Sequence, residues 1–578
     1  MLAIAVALGA WWARPLPLLV GLFLAGAAFV AGRPSLLILA GLITASTLGA
    51  RSMAGLGPPA PAPYAGPATL LSDPQPMPFG FRADVRIGHR RYEMWASGSG
   101  SGAVSRALAG ERISVEGRIH PSRPGSDWLV PRHVVGRFEA TSVEPLDGGA
   151  LPWQAANRFR RLLSRGAEAL PDPARSLYGG FVLGDDRGQP PEIVDDFRGA
   201  GLTHLLVVSG QNVAFVLVLT RPLSSRLRLG GRWAVTIAVI AAFGVVTRFE
   251  PSVLRASAMA ALAATASLAG RPASTTRVLS LAVAALVLVD PLLVRSVGFQ
   301  LSVAASVGIA IGARPIADHL PGPRVLAEAL GVTLAAQLGV APVLVPRFGG
   351  LPVVAIGANL LAVPAAGLVT SWGLPAGVAA GLGGPAVARL VHWPTRLLIG
   401  WVAGVAQVSA SLPLGEVGPV ALVVLVGCGL MFGLLARHRP NALGMRRLLV
   451  ALAGLVLILP MARLSRPPVV ATVADGARLY RSGGGTVLVI DGRIDIGDLM
   501  AGLRRTGTGR LDLVVDQPDP YLLQALRHRW PVASVVDPSS APPTRLRVGA
   551  VVVDLPGPTD TTAPARPAKP VTVTVEPE

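Results

Sequence analysis

Between about residue 232 and residue 462 the sequence returns again and again to uncharged apolar runs. Among them are "WAVTIAVIAAFGVV", "VLSLAVAALVLV", "VGPVALVVLVGCGLMFGLLA" and "LLVALAGLVLILP". Two more, "LPLLVGLFLAGAAFVAG" and "SLLILAGLITASTLGA", lie near the N-terminus. As helices rising 1.5 Å per residue, the N-terminal runs each extend roughly 25 Å, close to the thickness of a bilayer's hydrocarbon core. Short polar breaks separate the runs, and Gly and Pro interrupt many of them, so the pattern predicts ten or eleven spans. Composition agrees, because only 15% of the residues are charged, against about 25% for a soluble globular chain. The expected fold class is a polytopic α-helical membrane protein.

The net charge of +19 comes almost wholly from arginine, since Lys569 is the single lysine of the 578 residues. A Gly-x-x-x-x-Gly-Lys-Ser/Thr phosphate loop therefore cannot occur, and the folded part offers no Schiff-base lysine. Cys428 is the only cysteine and lies in an apolar run, so an internal disulfide and a zinc ribbon are both excluded. No basic segment precedes the first apolar run, which reads as a retained anchor instead of a cleaved signal. The sequence points to no cofactor.

Six regions follow from these shifts in pattern. Residues 1–51 are N-terminal transmembrane helices. Residues 52–150 turn polar, and "FRADVRIG", "RISVEGRIH" and "WLVPRHVVGRFEATSVE" alternate with period two between Gly and Pro breaks, as in a small β-barrel or sandwich. Here Arg82, Arg86, Arg90 and Arg91 are interleaved with Phe79, Phe81, Tyr92 and Trp95. That mixture suits a single nucleic-acid strand, with rings stacking on bases and guanidinium groups meeting phosphates. The alternative is a solvated face, because the region's acids nearly balance its bases. Residues 151–200 hold "WQAANRFRRLLSRGAEAL", an amphipathic helix expected to lie along the membrane surface as an interfacial connector. Residues 201–467 form the main membrane bundle. Residues 468–556 alternate strand and helix as a small α/β module, and residues 557–578 are a Pro/Thr-rich tail expected to be disordered.

The loop "RHRPNALGMRR" before the last span carries Arg437, Arg439, Arg446 and Arg447. The positive-inside rule places it in the cytoplasm, so the α/β module is expected to face outward.

Within the bundle, "GLTHLLVVSGQNVAFVLVL" carries a polar cluster in an apolar segment. In one unbroken helix His204 and Gln211 would share a face, with Asn212 beside them. Gly210, after Ser209, is a natural point for that helix to break, and broken helices in membranes border protein or a wet cavity. The competing reading is that His204 and Asn212 only hydrogen-bond between helices. Arg255 sits one turn inside "PSVLRASAMA", where it either snorkels to the interface or faces a path. Gln300 with Ser302, Gln337 and Asn359 place further polar groups in successive spans. The middles of these spans lack acids, which counts against a proton- or sodium-coupled carrier.

The ordered set "LGDDRG…FRGAGLTHLLVVSGQNV", "PSVLRASAMA", "DP…VGFQLSVAASVGI", "AAQLGVAPVLVPRFGG" and "NLLAVP" resembles the competence-channel family of the ComEC type from about Gly184 to Pro364. The match covers Gly201, Leu202, His204, Leu205, Leu206, Ser209 and Gly210, whereas Gln211-Asn212 stands where many members have Leu-His. The resemblance implies an inner-membrane channel for single-stranded DNA in natural transformation, with an exported OB-like β-domain. Separate DNA-receptor, cytoplasmic motor and nuclease proteins would then be partners, beside the lipid bilayer. On that reading the polar groups named above line the path: His204, Ser209, Gly210, Asn212, Arg255, Gln300, Gln337 and Asn359. In the β-domain it adds weight to DNA contact by Arg82, Arg86, Arg90, Arg91, Tyr92 and Trp95. A carrier for a small solute is the alternative, but it predicts inverted repeats and a coupling carboxylate.

The α/β module resembles a truncated, degenerate start of a metallo-β-lactamase-like domain. In "VVDQPDPYLL" Gln517 occupies the place of the first histidine of that metal run; Asp516, Asp519 and His528 are the remaining candidates. Such a set is too sparse and too spread along the chain for one ion, so no metal site, no catalytic residue and no nuclease activity are expected.

Overall fold

The computed structural model describes residues 1–438, 469–555 and 571–575, apart from short breaks at 78–79, 98–100, 272, 413, 493, 517–519 and 539, with a few helical residues between 444 and 456. Phe79, Arg439, Arg446, Arg447, Gln517 and Asp519 lie outside the described residues. The chain divides into two compact units. One comprises Met1–Gly188, His204–Val343 and Val363–Trp401, and the other Gln189–Thr203, Leu344–Ala362 and Val402–Glu578.

The first unit opens with helices α1 (Leu2–Trp12), α2 (Leu18–Ala31) and α3 (Pro34–Ala54). Thr47 Oγ1 donates to the Leu16 carbonyl at 2.8 Å and so ties α3 to the α1–α2 connection. Strands β1 (Ala62–Leu70), β2 (Gln75–Met77), β3 (Gly80–Ile87), β4 (Arg90–Ala96), β5 (Arg112–Pro121) and β6 (Val134–Asp147) follow, with the short helix α4 (Ser101–Arg106) after β4. Their order is β1-β5-β6-β4-β3-β2, and an added β1–β3 pairing closes five of them into a barrel. The period-two alternation explains its core, where Val85, Met94, Val115 and Phe138 are fully buried. Closure leaves little unpaired edge, the usual weakness of a small sheet.

Next come α5 (Leu151–Ala167) and α6 (Ala174–Leu183). Buried charges join α5 to the barrel. Arg160 on α5 pairs with Asp73 at 2.8 Å and Asp185 at 3.2 Å, and it donates to the carbonyls of Leu183 and Val246. Arg248 reaches Asp73 at 2.9 Å and Asn157 at 2.8 Å. Burial pushes the Asp73 carboxyl up, but Arg160, Arg248 and Arg187 outweigh it and hold Asp73 below the ordinary carboxylate value.

The membrane part of this unit contains α8 (Gly210–Ser224), α9 (Leu229–Val246), α10 (Pro251–Leu268), α11 (Thr275–Val289) and α12 (Val297–His319). Helices α13 (Arg324–Phe348), α14 (Ala355–Val391) and α15 (Trp393–Ser411) run through both units. Among the described residues, six segments are long and apolar enough to cross a membrane: Pro34–Ala54, Thr203–Pro222, Leu229–Val246, Val297–His319, Arg324–Phe348 and Ala355–Val391. The chain is a multi-pass membrane protein. Leu2–Trp12, Leu18–Ala31, Thr275–Val289 and Pro419–Leu435 are shorter apolar helices, the last expected span lies partly outside the described residues, and α14 takes in 37 residues that read as separate runs.

The amphipathic helix α5 has a packed face. Its buried face meets α14, where a Cβ at Gly166 would lie 2.6 Å from the Gly377 carbonyl oxygen and one at Gly381 would press on the Leu162 backbone. Small residues let two helix backbones approach this closely.

The second unit holds α7 (Pro191–Gly199), the ribbon β7 (Leu351–Pro352) with β8 (Glu416–Val417), helix α16 (Pro419–His438) and the α/β module. In the module, β9 (Val470–Ala474), β10 (Ala477–Ser482), β11 (Gly485–Ile490), β12 (Leu511–Val515) and β13 (Val532–Val536) form one sheet, ordered β13-β12-β11-β10-β9. Helices α17 (Ile496–Arg505) and α18 (Pro520–Arg529) cover one face, burying Leu499, Leu503, Leu526 and Trp530. The other face packs through Val487, Val489 and Leu513 on a second sheet of β14 (Thr544–Val548), β15 (Val551–Leu555) and β16 (Thr572–Val575). Strand β16 lies in the segment read from sequence as a disordered tail, and it pairs antiparallel with β15.

Candidate conducting path and nucleic-acid interface

The polar interruption at Ser209–Gly210 is a helix break. Ser209 is extended (φ −94°, ψ 160°) and α8 starts at Gly210, while His204 belongs to a separate short turn, Thr203–Leu205. The seven-residue register between His204 and Gln211 therefore does not hold, because no single helix contains both.

Helix α10 packs against this break. Ser252 Oγ donates to the Val208 carbonyl at 2.7 Å, satisfying a backbone acceptor that the missing helical turn leaves open. One turn on, Arg255 Nε donates to Ser302 Oγ at 2.7 Å, and its Nη1 lies 3.4 Å from Met259 Sδ. A Cβ at Gly210 would stand 2.8 Å from Arg255 Nη2 and 3.0 Å from the Ala256 side chain. Glycine at 210 is thus what lets the guanidinium lie against the start of α8. No carboxylate pairs with Arg255 among the described residues.

The other expected path residues separate. Asn212 is buried, donates to the Phe181 carbonyl at 2.9 Å and accepts from Ser209 Oγ, which is the role of helix-to-helix glue. Gln300 Nε2 donates to the Val294 carbonyl at 2.6 Å. Gln337 lies half-buried on α13. Asn359 belongs to the second unit, where it donates to the carbonyls of Ala355 at 2.7 Å and Gly201 at 3.5 Å. The structure brings together Ser209, Gly210, Asn212 and Arg255, and it adds Ser252 and Ser302. Replacing Gly210 with alanine should cut any transport through this region by about tenfold or more, since Arg255 or the α8 start must shift to relieve the overlap. Uptake measured at matched protein level in the membrane checks this.

On the barrel, strand register sorts the basic and aromatic residues. Arg82 pairs across with Trp95, Asp84 with Glu93 and Arg86 with Arg91, so these six share one face. Tyr92 points the other way and is only 5% exposed in the core, which removes it from the expected nucleic-acid contacts. Arg90 sits at the β3–β4 turn opposite Ile87. Two arginines that local pattern does not single out complete the face. Arg132 pairs with both Asp84 and Glu93, and Arg137 stacks over the Trp95 ring at 4.5 Å. Asp84 and Glu93 are thereby neutralised from within, Arg137 also pairs with Glu139 at 3.3 Å, and Arg82, Arg86, Arg91 and the Arg137–Trp95 stack lie together on this face.

With the geometry in place, comparison with known proteins is informative. The Competence protein family matches residues 181–440. The match takes in a little under half of the chain and supports a competence protein of the ComEC type. All eight expected path residues, and the Arg255–Gly210 contact, fall inside the competence domain, while the barrel and the α/β module lie outside it. The chain is similar to the uncharacterized protein YcaI of Escherichia coli K12, at 27% identity over 282 residues (46% of this chain, 36% of the relative). It is also similar to ComE operon protein 3 of Bacillus subtilis 168, at 23% over 290 residues (49% and 37%). The chain thus spans only a little over a third of the length of each of these relatives. No solved structure matches the chain.

Proposed function

We propose that this protein conducts single-stranded DNA across the bacterial inner membrane during natural transformation. The observation that carries the reading is Arg255. A guanidinium held beside a broken helix, with a serine and a methionine for company and no carboxylate among the described residues, retains its positive charge for an anion passing by. A phosphate backbone supplies such anions in series. The competence family supports the same direction. A small-solute carrier lacks a corresponding observation.

In this reading the barrel receives the strand. Leaving out β2, its strand order supports the OB-like reading, in which the second and third strands, β3 and β4, carry the Arg82–Trp95 and Arg86–Arg91 pairs. Arg137→Ala removes the guanidinium from the Trp95 ring, and we expect it to weaken single-strand binding by about five- to tenfold and to lower the salt dependence by one phosphate contact. Fluorescence anisotropy with a labelled oligonucleotide across a salt series measures both. The barrel and the α/β module face outward, and a separate receptor, cytoplasmic motor and nuclease complete the process.

The α/β module takes no part in cutting. Its helix–sheet–sheet layering fits the beginning of a metallo-β-lactamase-like domain, and Gln517 stands where that resemblance would have the first histidine of the metal run. We expect the purified chain to hold less than stoichiometric zinc or manganese and to leave DNA intact. Metal analysis finding one tightly held ion, with hydrolysis lost in Asp519→Asn, would reverse that assignment. The test of the main function is genetic: deletion of the gene should abolish transformation while DNA binding at the cell surface persists. Normal transformation in the deletion strain would sink it.

A further inference from the structure

The second unit contains two buried ion pairs that the transport reading does not use. Helix α7, "PEIVDDFRG", carries adjacent acids, Asp195 and Asp196, and both are buried. Asp195 meets Arg504 at the end of α17, and Arg504 also approaches the Asp195 carbonyl at 3.3 Å. Asp196 meets Arg529 at the end of α18, at 3.0 Å, and Arg529 donates in addition to the carbonyl of Ala410. Both arginines stand in the last turn of their helices, where a cation also complements the helix dipole.

The backbones fit as closely as the charges. A Cβ at Gly199 would lie 3.1 Å from Arg504 Nε and 3.0 Å from the Ala410 side chain, and one at Gly497 would lie 3.0 Å from Arg198 Nη1. Directly after α7 comes Gly201, whose φ of 68° is readily adopted by glycine. A Cβ there would stand 2.5 Å from that of Ala355, and Asn359 reaches the Gly201 carbonyl. The α/β module, α7, Gly201 and the first turns of α14 are thus one continuous packed path.

We propose that the α/β module is a clamp. Arg504 and Arg529 read the Asp195–Asp196 pair, fix α7 on the outside of the module's helix layer, and through Gly201 set where the signature stretch begins. The four charged residues are positioning residues and touch no substrate. Unpaired charges buried this deeply are costly, so removing either side releases the helix instead of leaving it docked. Asp195 Oδ2 already lacks a hydrogen-bond partner among the described residues, which makes α7 a poor tenant without Arg504. Burial pushes the Asp196 carboxyl up to about 6, with Asp195 adding to it against the pull of Arg529, His528 and Arg504.

The test is hydrogen exchange by mass spectrometry on the full chain in detergent, at about pH 7.5, where Asp196 is ionised. In the Arg504→Met/Arg529→Met double variant, amides of residues 190–203 should exchange roughly tenfold faster or more, while those of β11 and β12 keep their protection. Replacing both arginines by lysine should recover most of the lost protection, since charge is kept. Unchanged exchange in α7 would overturn the clamp. So would loss of protection in α7 and the module core together, which would be unfolding of the module. If lysine recovers nothing while β11 and β12 stay protected, the arginines act by volume and the charge reading is wrong.

Discussion

Replacing Asp73 with alanine should destabilise the protein by about 3–5 kcal/mol, the usual cost of taking one partner out of a buried ion pair. Arg160 is 3% exposed and Arg248 11% exposed, and Asp73 is the carboxylate they share. With it gone, two guanidinium groups face each other in a space that water scarcely reaches. Thermal unfolding in detergent should show a large drop in midpoint, and Asp73→Asn, which keeps the shape, should fall nearly as far. Linkage fixes the pH behaviour. The folded carboxyl is held below its ordinary value of 3.8, so its contribution is present above that value and is lost as pH falls through the lowered one. Wild type and variant should therefore differ fully at neutral pH and converge only in strong acid. Equal midpoints at neutral pH would show that the network does not hold barrel and α5 together.

Arg255→Ala should lower transformation by about 10- to 100-fold at unchanged protein level, the range set by one hydrogen bond to a charged group of about 1.5–3 kcal/mol. The side chain's contacts with Ser302 and Met259 leave its Nη2 edge beside Gly210. Arg255→Lys separates two roles. A lysine keeps the charge but cannot hold Ser302 through Nε and present a second donor at the same time. We expect it to restore part of the transport. Loss of transport in proportion to loss of folded protein would make Arg255 a structural residue.

What the sequence made legible follows physical range. Period-two alternation located the barrel strands because inside and outside alternate residue by residue. The break at Ser209–Gly210 was legible because polar residues and glycine interrupt an apolar run locally. The seat of Arg255 was not, because the glycine that admits it lies 45 positions earlier in the chain. Arg132 and Arg137 escaped for the same reason: a loop and a distant strand bring them over Asp84, Glu93 and Trp95. Tyr92 was misplaced because composition marks an aromatic without saying which face it takes. The contact of α5 with α14 was not legible either. Lipid tails and a glycine-lined helix offer nearly the same apolar surroundings, so the apolar stripe of α5 alone does not distinguish them.

The second unit is assembled from three stretches far apart in sequence, and the Asp196–Arg529 pair spans 333 residues. During synthesis at about 5–20 residues per second, α7 waits roughly 17–67 s for the arginine that completes its site. Through that interval the two adjacent aspartates lack their arginines, and the signature's first residues have only the contacts of Gly201 with Ala355 and Asn359. Biogenesis of this protein thus has a built-in order. The bundle's early helices can insert as they emerge, but the start of the signature reaches its final place only when the last domain has folded. A ribosome stalled before residue 504 would leave a chain already in the bilayer whose α7 lacks both of its arginine partners.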